Sequence, residues 1–288
     1  MKASTTIILA ALIAVIAAFA TVKMTLTNSS TSTESKKENA YEHIVRTGEL
    51  NCGMIVFPPF IDKDLKTGEL KGFNVGAVKQ IAKLLDLKIK FTEIQLGYQK
   101  QDLESGKVDA ICADGPWITS TIKYVSYTNP YSLLPAYVYK AANNAKITDL
   151  SSLDKPDVNF VGIDGDISID LAKTFFPQAK IQSLSNLTDP AQLLLNLTTK
   201  KADVALTDVL NGDGFSRANP GMITRVSDKP VALLKVGFTI GKSETQLLDT
   251  LNNAIEVANN LGIIDKELND YPLERGAFLP VKTYYVAK

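Results

Sequence analysis

Phe57-Pro58-Pro59-Phe60 opens the stretch that decides the fold, and Tyr127-Thr128-Asn129-Pro130-Tyr131 closes it. Between them a turn at 67–70 leads into a helical pattern of apolar residues from Val75 to Leu85. A β-prone segment, Lys88–Phe91, comes next. Strand, helix and strand in this order are typical of an α/β lobe whose sheet is covered by helices.

The alternation of strands and helices continues to about Phe238, which predicts an α/β fold with mainly parallel sheets. Two extended apolar stretches, Leu133–Tyr139 and Val231–Phe238, are candidate links between two such units. The predicted strands are Leu50–Val56, Lys88–Phe91, Ala110–Cys112, Asn159–Ile163, Lys180–Leu184 and Ala202–Leu206. The predicted helices after the first link are Ile169–Phe176, Pro190–Thr199, Thr245–Leu261 and Ile264–Leu268.

Composition predicts a soluble globular protein with no strongly charged partner. The chain is 45% hydrophobic and 22% charged, and it has 31 basic against 31 acidic residues. A net charge of zero gives no long-range field toward nucleic acid, so no nucleic-acid partner is expected. A length of 288 residues fits about two domains of ordinary size.

The first 20 residues predict export. Met1-Lys2 is a short basic end, and Ile7–Ala20 is an apolar run of 14 residues. A membrane span needs about 20 residues, so this run fits a signal peptide better, with an N-terminal membrane anchor as the alternative. Residues 21–40 are rich in Thr, Ser, Lys and Glu and predict a flexible linker.

Neither a metal nor a cofactor is predicted. The two cysteines, Cys52 and Cys112, occupy apolar positions of predicted strands. They form a disulfide if their Cα atoms come within about 7 Å, and the alternative is a pair of buried thiols. His43 is the only histidine and has no cluster of metal ligands around it in the sequence.

These motifs, in this order and spacing, resemble the family 3 extracellular solute-binding proteins, from about Tyr41 to Tyr271. The resemblance implies a periplasmic receptor that delivers polar amino acids or related solutes to an ABC importer. It implies a two-lobed, type II periplasmic-binding-protein fold with two hinge strands and a cleft between the lobes. Lobe 1 would comprise residues 41–134 and 239–288, and lobe 2 residues 135–238. A monomer that binds an ABC permease of the inner membrane, and not an enzyme, is expected.

The resemblance places candidate ligand-binding residues of lobe 1 on two loops. An aromatic residue covers the ligand in the family, and Phe57 or Phe60 takes that position here. The loop after the third strand contributes Asp114 and Trp117, which suit a cation. In relatives this loop carries an arginine for the ligand carboxylate, but Thr121 stands at that position. Asp114 as a turn cap and Phe60 as a core residue are the alternatives.

The resemblance also places candidate residues in lobe 2. Asp166 and Ser168 follow a strand and open a helix, where relatives carry hydroxyl residues; an ordinary helix cap is the alternative. Asp208 stands where relatives hold the α-ammonium of the ligand. The predicted cleft therefore keeps acidic groups and lacks the arginine, which indicates a ligand that carries an ammonium or guanidinium.

Two other functions remain open at this point. A partner-binding accessory protein of the kind associated with quinoprotein dehydrogenases keeps this fold without binding a solute. An enzyme related to the cyclohexadienyl dehydratases is disfavoured, because those enzymes act on carboxylates and the arginine is missing.

Overall fold

We describe a computed structural model of the chain, which covers residues 38–56, 58, 61–114, 122–271 and 276–281. The predicted signal peptide or anchor (residues 1–20) and nearly all of the linker (residues 21–40) lie outside the described residues, as do Phe57, Phe60, Trp117 and Thr121. Asn39 caps the first helix, which begins at Ala40. No helix in the described ranges is long and apolar enough to cross a membrane.

The described strands follow the predicted order, with several short additions. They are β1 (Glu49–Ile55), β2 (Asp62–Lys63), β3 (Leu70–Lys71), β4 (Lys88–Ile94), β5 (Ala110–Asp114), β6 (Val125–Tyr127), β7 (Ser132–Ala141), β8 (Asn159–Ile163), β9 (Lys180–Leu184), β10 (Val204–Asp208), β11 (Ile223–Arg225), β12 (Ala232–Gly241) and β13 (Leu279–Pro280).

The described helices pack against the strands. They are α1 (Ala40–Thr47), α2 (Phe73–Leu84), α3 (Gln99–Ser105), α4 (Ile167–Phe175), α5 (Pro190–Thr198), α6 (Val209–Ala218), α7 (Thr245–Asn260) and α8 (Ile263–Asn269), with a 3-10 turn at Leu150–Ser152. The predicted helices and strands are present, with ends that coincide or are shifted by at most three residues. Helices α3 and α6 were not predicted.

Two groups of parallel strands, each with crossover helices, form the two halves of the described structure. In the first, β1 lies between β4 and β5 and pairs with both in parallel. In the second, β8 lies between β9 and β10 and pairs with both in parallel. The α/β, two-lobed architecture is confirmed, but the expectation of mainly parallel sheets is wrong. Among the described strands the antiparallel pairings of β7 and β12 outnumber the parallel ones, so the sheet is mixed.

The two long strands β7 and β12 join the halves. Residues 132–136 of β7 pair antiparallel with residues 232–236 of β12. Beyond this segment β12 pairs with β5 and β6 of the first half, whereas β7 pairs with β10 of the second. These strands are the apolar stretches predicted as links, and the chain crosses between the halves twice. The lobe boundaries within them stay a prediction.

A disulfide joins Cys52 of β1 to Cys112 of β5, neighbouring strands of the first half. The two Cα atoms lie 5.8 Å apart, within the range that a disulfide spans. Of the two possibilities that the sequence left open, the structure has the disulfide and not the pair of buried thiols. The bond fixes β1 against the strand that carries Asp114 at its end.

One glycine of α6 decides how this helix packs on β7. A Cβ atom at Gly212 would lie about 2.0 Å from the Tyr139 ring. The ring therefore occupies the space that any other residue would need. Tyr139 is buried, and its hydroxyl donates a hydrogen bond to Asp213 over 2.9 Å. The close packing sets the position of α6, whose first turn follows Asp208.

Candidate functional site

A cleft opens between the two halves, at the ends of β5, β8 and β10. Cavities at the carboxyl ends of strands in α/β folds are where small ligands bind. The cleft brings together all four candidate residues that the structure describes: Asp114, Asp166, Ser168 and Asp208. Strand ends and helix starts place them there, as the sequence predicts.

Asp208 ends β10 and caps the first turn of α6. Its Oδ1 accepts hydrogen bonds from the backbone N–H groups of Leu210 at 2.8 Å and Asn211 at 3.0 Å. Its Oδ2 accepts a bond from the Asn211 side chain at 2.5 Å. The carboxylate is thus oriented by its own helix while it lines the cleft.

Asp166 likewise caps the first turn of its helix, α4. Its Oδ1 accepts a hydrogen bond from the backbone N–H of Ser168 at 2.8 Å. Ser168 also lines the cleft, and its buried Oγ has no hydrogen-bond partner. Asp166 is therefore both the cap that the sequence offered as an alternative and a residue of the cleft wall.

The two carboxylates of the second half repel each other in a partly dehydrated wall. The pKa of the Asp208 carboxyl is raised to about 6, chiefly by burial and in part by the negative charge of Asp166, against the opposing effect of the hydrogen bonds from Asn211 and Leu210. Burial also raises the pKa of Asp166, and the negative charge of Asp170 contributes to this increase. A cation between the carboxylates would relieve both effects.

Asp114 contributes a third carboxylate from the first half, at the end of β5. It is 8% exposed, and its Oδ2 accepts a hydrogen bond from the Thr239 hydroxyl of β12 at 2.8 Å. Tyr131 lies close by: burial raises its pKa well above the ordinary value, and the charge of Asp114 raises it further. This buried arrangement fixes the orientation of Asp114.

The rest of the described wall is mostly apolar. Gln99 at the start of α3 and Thr207 of β10 add polar groups, each 8% exposed. Sequence analysis missed both residues. The apolar lining residues include Ile55, Ile61, Leu96, Leu134, Leu206 and Leu234.

The two halves touch at the rim of the cleft. The Asn186 side chain, after β9, donates a hydrogen bond to the Leu96 carbonyl, after β4, at 3.0 Å. A Cβ at Gly165 would lie 3.3 Å from the Cα of Gly97. Both glycines have positive φ, so each loop needs glycine for its turn as well as for this approach. No pattern in the sequence predicts this contact.

The two-lobed α/β architecture agrees with a match between this chain and a family model. Residues 50–272 match the model of the bacterial extracellular solute-binding proteins, family 3. The chain belongs to this family. The match confirms the resemblance predicted from the sequence, and it covers most of the described residues.

Individual members of the family and solved structures agree with this assignment. The chain is 24% identical over 222 residues to a "probable histidine-binding protein" of Campylobacter jejuni, covering 76% of this chain and 82% of that protein. An ancestral amino acid-binding protein, described as a precursor of cyclohexadienyl dehydratase, is 26% identical with a TM-score of 0.66, covering 81% of this chain and 99% of the other.

A third similarity shows the fold alone. A binding component of an ABC transporter from Wolinella succinogenes, solved with lysine, is 23% identical with a TM-score of 0.66. It covers 83% of this chain and 98% of the other. These solved structures share the mixed α/β fold of this chain.

In this family 3 chain, the described cleft wall has acidic but no basic side chains. Lys123, which follows the position where relatives carry arginine, is exposed, and its ammonium lies 4.9 Å from the centre of the Tyr124 ring. Lys123 is therefore not among the lining residues. The described ranges also contain no group of three His, Cys, Asp or Glu that could hold a metal ion.

Proposed function

We propose that this family 3 protein is the solute-binding receptor of an ABC import system and that it captures a small amine-bearing solute by closure of its two lobes. One observation carries the choice of solute: the cleft wall is acidic from both halves, through Asp114 on one side and Asp166 and Asp208 on the other. An ammonium or guanidinium complements this charge.

The physical reason is desolvation. Closing the lobes removes water, so each buried carboxylate needs a partner of opposite charge. Burial and the charge of Asp166 disfavour the charged form of Asp208 and raise its pKa to about 6. A bound cation lowers that pKa and regains the lost interaction energy, whereas an anion adds repulsion.

The rim contact supports capture by closure. Asn186 and Leu96 belong to different halves, so their hydrogen bond exists only when the halves are close. Gly165 and Gly97 approach each other at the same rim. The proposed cycle is a swing about β7 and β12, as expected for a hinged receptor.

Export, monomeric state and docking on an inner-membrane permease belong to the same proposal. They are supported by membership in a family of extracellular binding proteins and by the apolar run Ile7–Ala20. Among the proposed ligand-binding residues, Phe57, Phe60, Trp117 and Thr121 rest on the sequence resemblance. Asp114, Asp166, Ser168 and Asp208 have in addition their places in the cleft wall.

A partner-binding accessory protein without a solute is the second candidate, favoured by the threonine at the arginine position, Thr121. The cleft between the halves favours the receptor instead, because polar side chains from both halves line it together with apolar ones, as in small-molecule sites. For an enzyme of the dehydratase kind, the acidic wall is unsuited to a carboxylate substrate.

Isothermal titration calorimetry of the exported chain tests the proposal. The panel contains lysine, arginine, histidine, glutamate, a simple alkylamine and a diamine. We expect binding of one or more cations and none of glutamate, with a smaller radius of gyration in X-ray scattering when ligand is bound. Preference for glutamate, or no binding together with a co-purifying protein partner, would refute the receptor for amines.

A further inference from the structure

The side chain of Asn211 contacts a carboxylate of the cleft without lining the cleft itself. Asn211 is 5% exposed, and its Nδ2 donates a hydrogen bond to Oδ2 of Asp208 at 2.5 Å. Asp208 is among the described lining residues, whereas Asn211 is not. The opposite orientation of the amide would place two oxygens in contact, so Nδ2 is the donor. Any effect of Asn211 on a solute therefore acts through Asp208.

Asn211 occupies the third position of α6, where a capping box has a different arrangement. In a capping box the side chain at this position accepts from the backbone N–H of the N-cap residue. Helix α1 has this arrangement, with Asn39 as the N-cap residue and Glu42 at the third position. In α6 the third side chain instead donates to the N-cap carboxylate of Asp208. The contact serves the carboxylate rather than the backbone of the helix.

The same amide leaves its oxygen without a partner. Oδ1 of Asn211 is buried and accepts no hydrogen bond within the described ranges. A buried acceptor without a partner destabilises a fold, and asparagine is a weak helix former. An apolar side chain would avoid both effects but could not donate to Asp208. The donor is therefore what distinguishes asparagine from a purely structural residue at this position.

Three donors fix the orientation of the Asp208 carboxylate. Each carboxylate oxygen accepts about two hydrogen bonds. Oδ1 accepts from the backbone N–H groups of Leu210 and Asn211, and Oδ2 accepts from the Asn211 side chain. A carboxylate held at both oxygens does not rotate freely, so the remaining acceptor position on Oδ2 keeps one direction.

The hydrogen bonds from Asn211 also favour the charged form of Asp208. Burial raises the pKa of Asp208, the bonds from Asn211 oppose this increase, and the charge of Asp166 at the start of α4 adds to it. Asp170 of α4 acts in turn on Asp166. Asp114 lines the cleft from the other half. Bonds donated to a carboxylate stabilise its ionised form, and removing one disfavours it.

The other titratable groups around α6 are already paired or exposed. Asp213 of α6 forms an ion pair with Arg225 of β11 and accepts from the Tyr139 hydroxyl of β7. The guanidinium carbon of Arg225 lies 3.7 Å from the centre of the Tyr137 ring. Arg217 is exposed in the last turn of α6, and α5 carries no titratable residue.

We infer that Asn211 is a positioning residue of the cleft: its amide holds the Asp208 carboxylate ionised and in one orientation, ready to accept from the ammonium of a solute. This inference rests on the proposed function. It adds a residue outside the cleft wall to those that determine affinity.

Carbon-13 NMR of the aspartate carboxyl groups tests the effect on Asp208 without any solute. The Asp208 signal is identified by its loss in Asp208→Asn. Asn211→Leu has the branching of asparagine but no donor and should raise the pKa of Asp208 by about 1. The control Asn219→Leu removes an amide that donates to the Phe215 carbonyl at the other end of α6 and should leave this pKa unchanged. An unchanged pKa in Asn211→Leu overturns the inference.

Calorimetry tests the effect on binding, with lysine, arginine, histidine, n-butylamine and 1,4-diaminobutane as probes. For the probe that binds the wild-type protein most tightly, Asn211→Leu and Asn211→Ala should each weaken affinity about tenfold at pH 7. Both should also move the fall of affinity with acid to higher pH, and Asn219→Leu should do neither. Wild-type affinity in both Asn211 variants overturns the inference alone. If the wild-type protein binds none of the probes, the proposed receptor for amines fails and the inference fails with it.

Urea unfolding at pH 5 separates positioning from a structural role. Near this pH Asp208 is largely protonated, so loss of the charge-assisted bond has little effect on stability. Asn211→Leu also removes the unpaired oxygen and introduces a better helix former. Its urea midpoint should therefore equal or exceed that of the wild-type protein. A lower midpoint together with an unchanged pKa of Asp208 would show that Asn211 only supports the helix, which overturns the inference.

Discussion

Replacing Asp208 with asparagine should stabilise the empty protein at neutral pH while it weakens binding. The pKa of Asp208 rises from 3.8 to about 6 on folding. At 1.36 kcal/mol for each tenfold change, the charged form costs about 3 kcal/mol of folding free energy at pH 7.5. Asparagine caps a helix about as well as aspartate but loses the charge-assisted bonds, so we expect a net gain of about 1 to 2 kcal/mol.

The pH dependence has a definite sign. A carboxyl whose pKa is higher in the folded state binds a proton more tightly there. Its contribution to stability is complete below pH 3.8 and is lost as the pH rises through about 6. The wild-type free energy of unfolding should therefore contain a component that increases as the pH falls from 7 to 4. Asp208→Asn should lack this component.

Urea unfolding at pH 7.5 and pH 5, without ligand, measures both effects. Asp189→Asn is the matched control, because Asp189 is an exposed cap whose carboxylate accepts from Ala191 at the start of α5. We expect the control to change stability by less than about 0.5 kcal/mol at either pH. A loss of 1 kcal/mol or more in Asp208→Asn at pH 7.5 would show that the carboxylate is retained as a cap and would refute the reasoning.

Three further predictions concern affinity and stability. Asn186→Ala removes the hydrogen bond at the rim of the cleft and should weaken the calorimetric affinity for the solute about two- to tenfold. The control Asn196→Ala removes a hydrogen bond inside α5 and should leave this affinity unchanged. Equal effects of the two variants would contradict a role of Asn186 in closure. Reducing the bond between Cys52 and Cys112, which closes a loop of 60 residues, should cost up to about 4 kcal/mol in urea unfolding. The free energy of unfolding of the double variant Cys52→Ala, Cys112→Ala should not change when reductant is added. Since a cation needs ionised Asp208, calorimetric affinity should fall about tenfold from pH 7 to pH 5, and a flat profile would exclude Asp208 from the contact.

Periodicity and turn signals predict much of this fold because the first half and second half each consist of strands buried under amphipathic helices. Asn159–Ile163 and Lys180–Leu184 agree with the structure residue for residue. Helix α6 (Val209–Ala218) was missed because its two glycines lower the helical signal, and contact with Tyr139 compensates for one of them. Packing between distant segments is not visible in a local pattern.

Some residues of the candidate site could be predicted from local sequence, and others could not. Asp166 and Asp208 follow strands and precede helices, so local sequence places them at the cleft. The place of Gln99 in the cleft wall and the contact of Asn186 with Leu96 depend on how distant segments of the chain meet. Such contacts join residues about ninety positions apart in the chain, and neither spacing nor composition encodes them.

The carboxylates of Asp166 and Asp208 affect both the stability of the protein and its choice of solute. As helix caps, Asp166 and Asp208 each satisfy backbone N–H groups that would otherwise attract an anion. As neighbours in a partly buried wall, they disfavour each other's charge when the cleft is empty. A cation removes this repulsion on binding, so part of its affinity is energy that the empty protein lacks. An uncharged solute removes none of it, and an anion increases it. Selectivity for cations therefore follows from the capping arrangement itself, before any contact specific to one solute is considered.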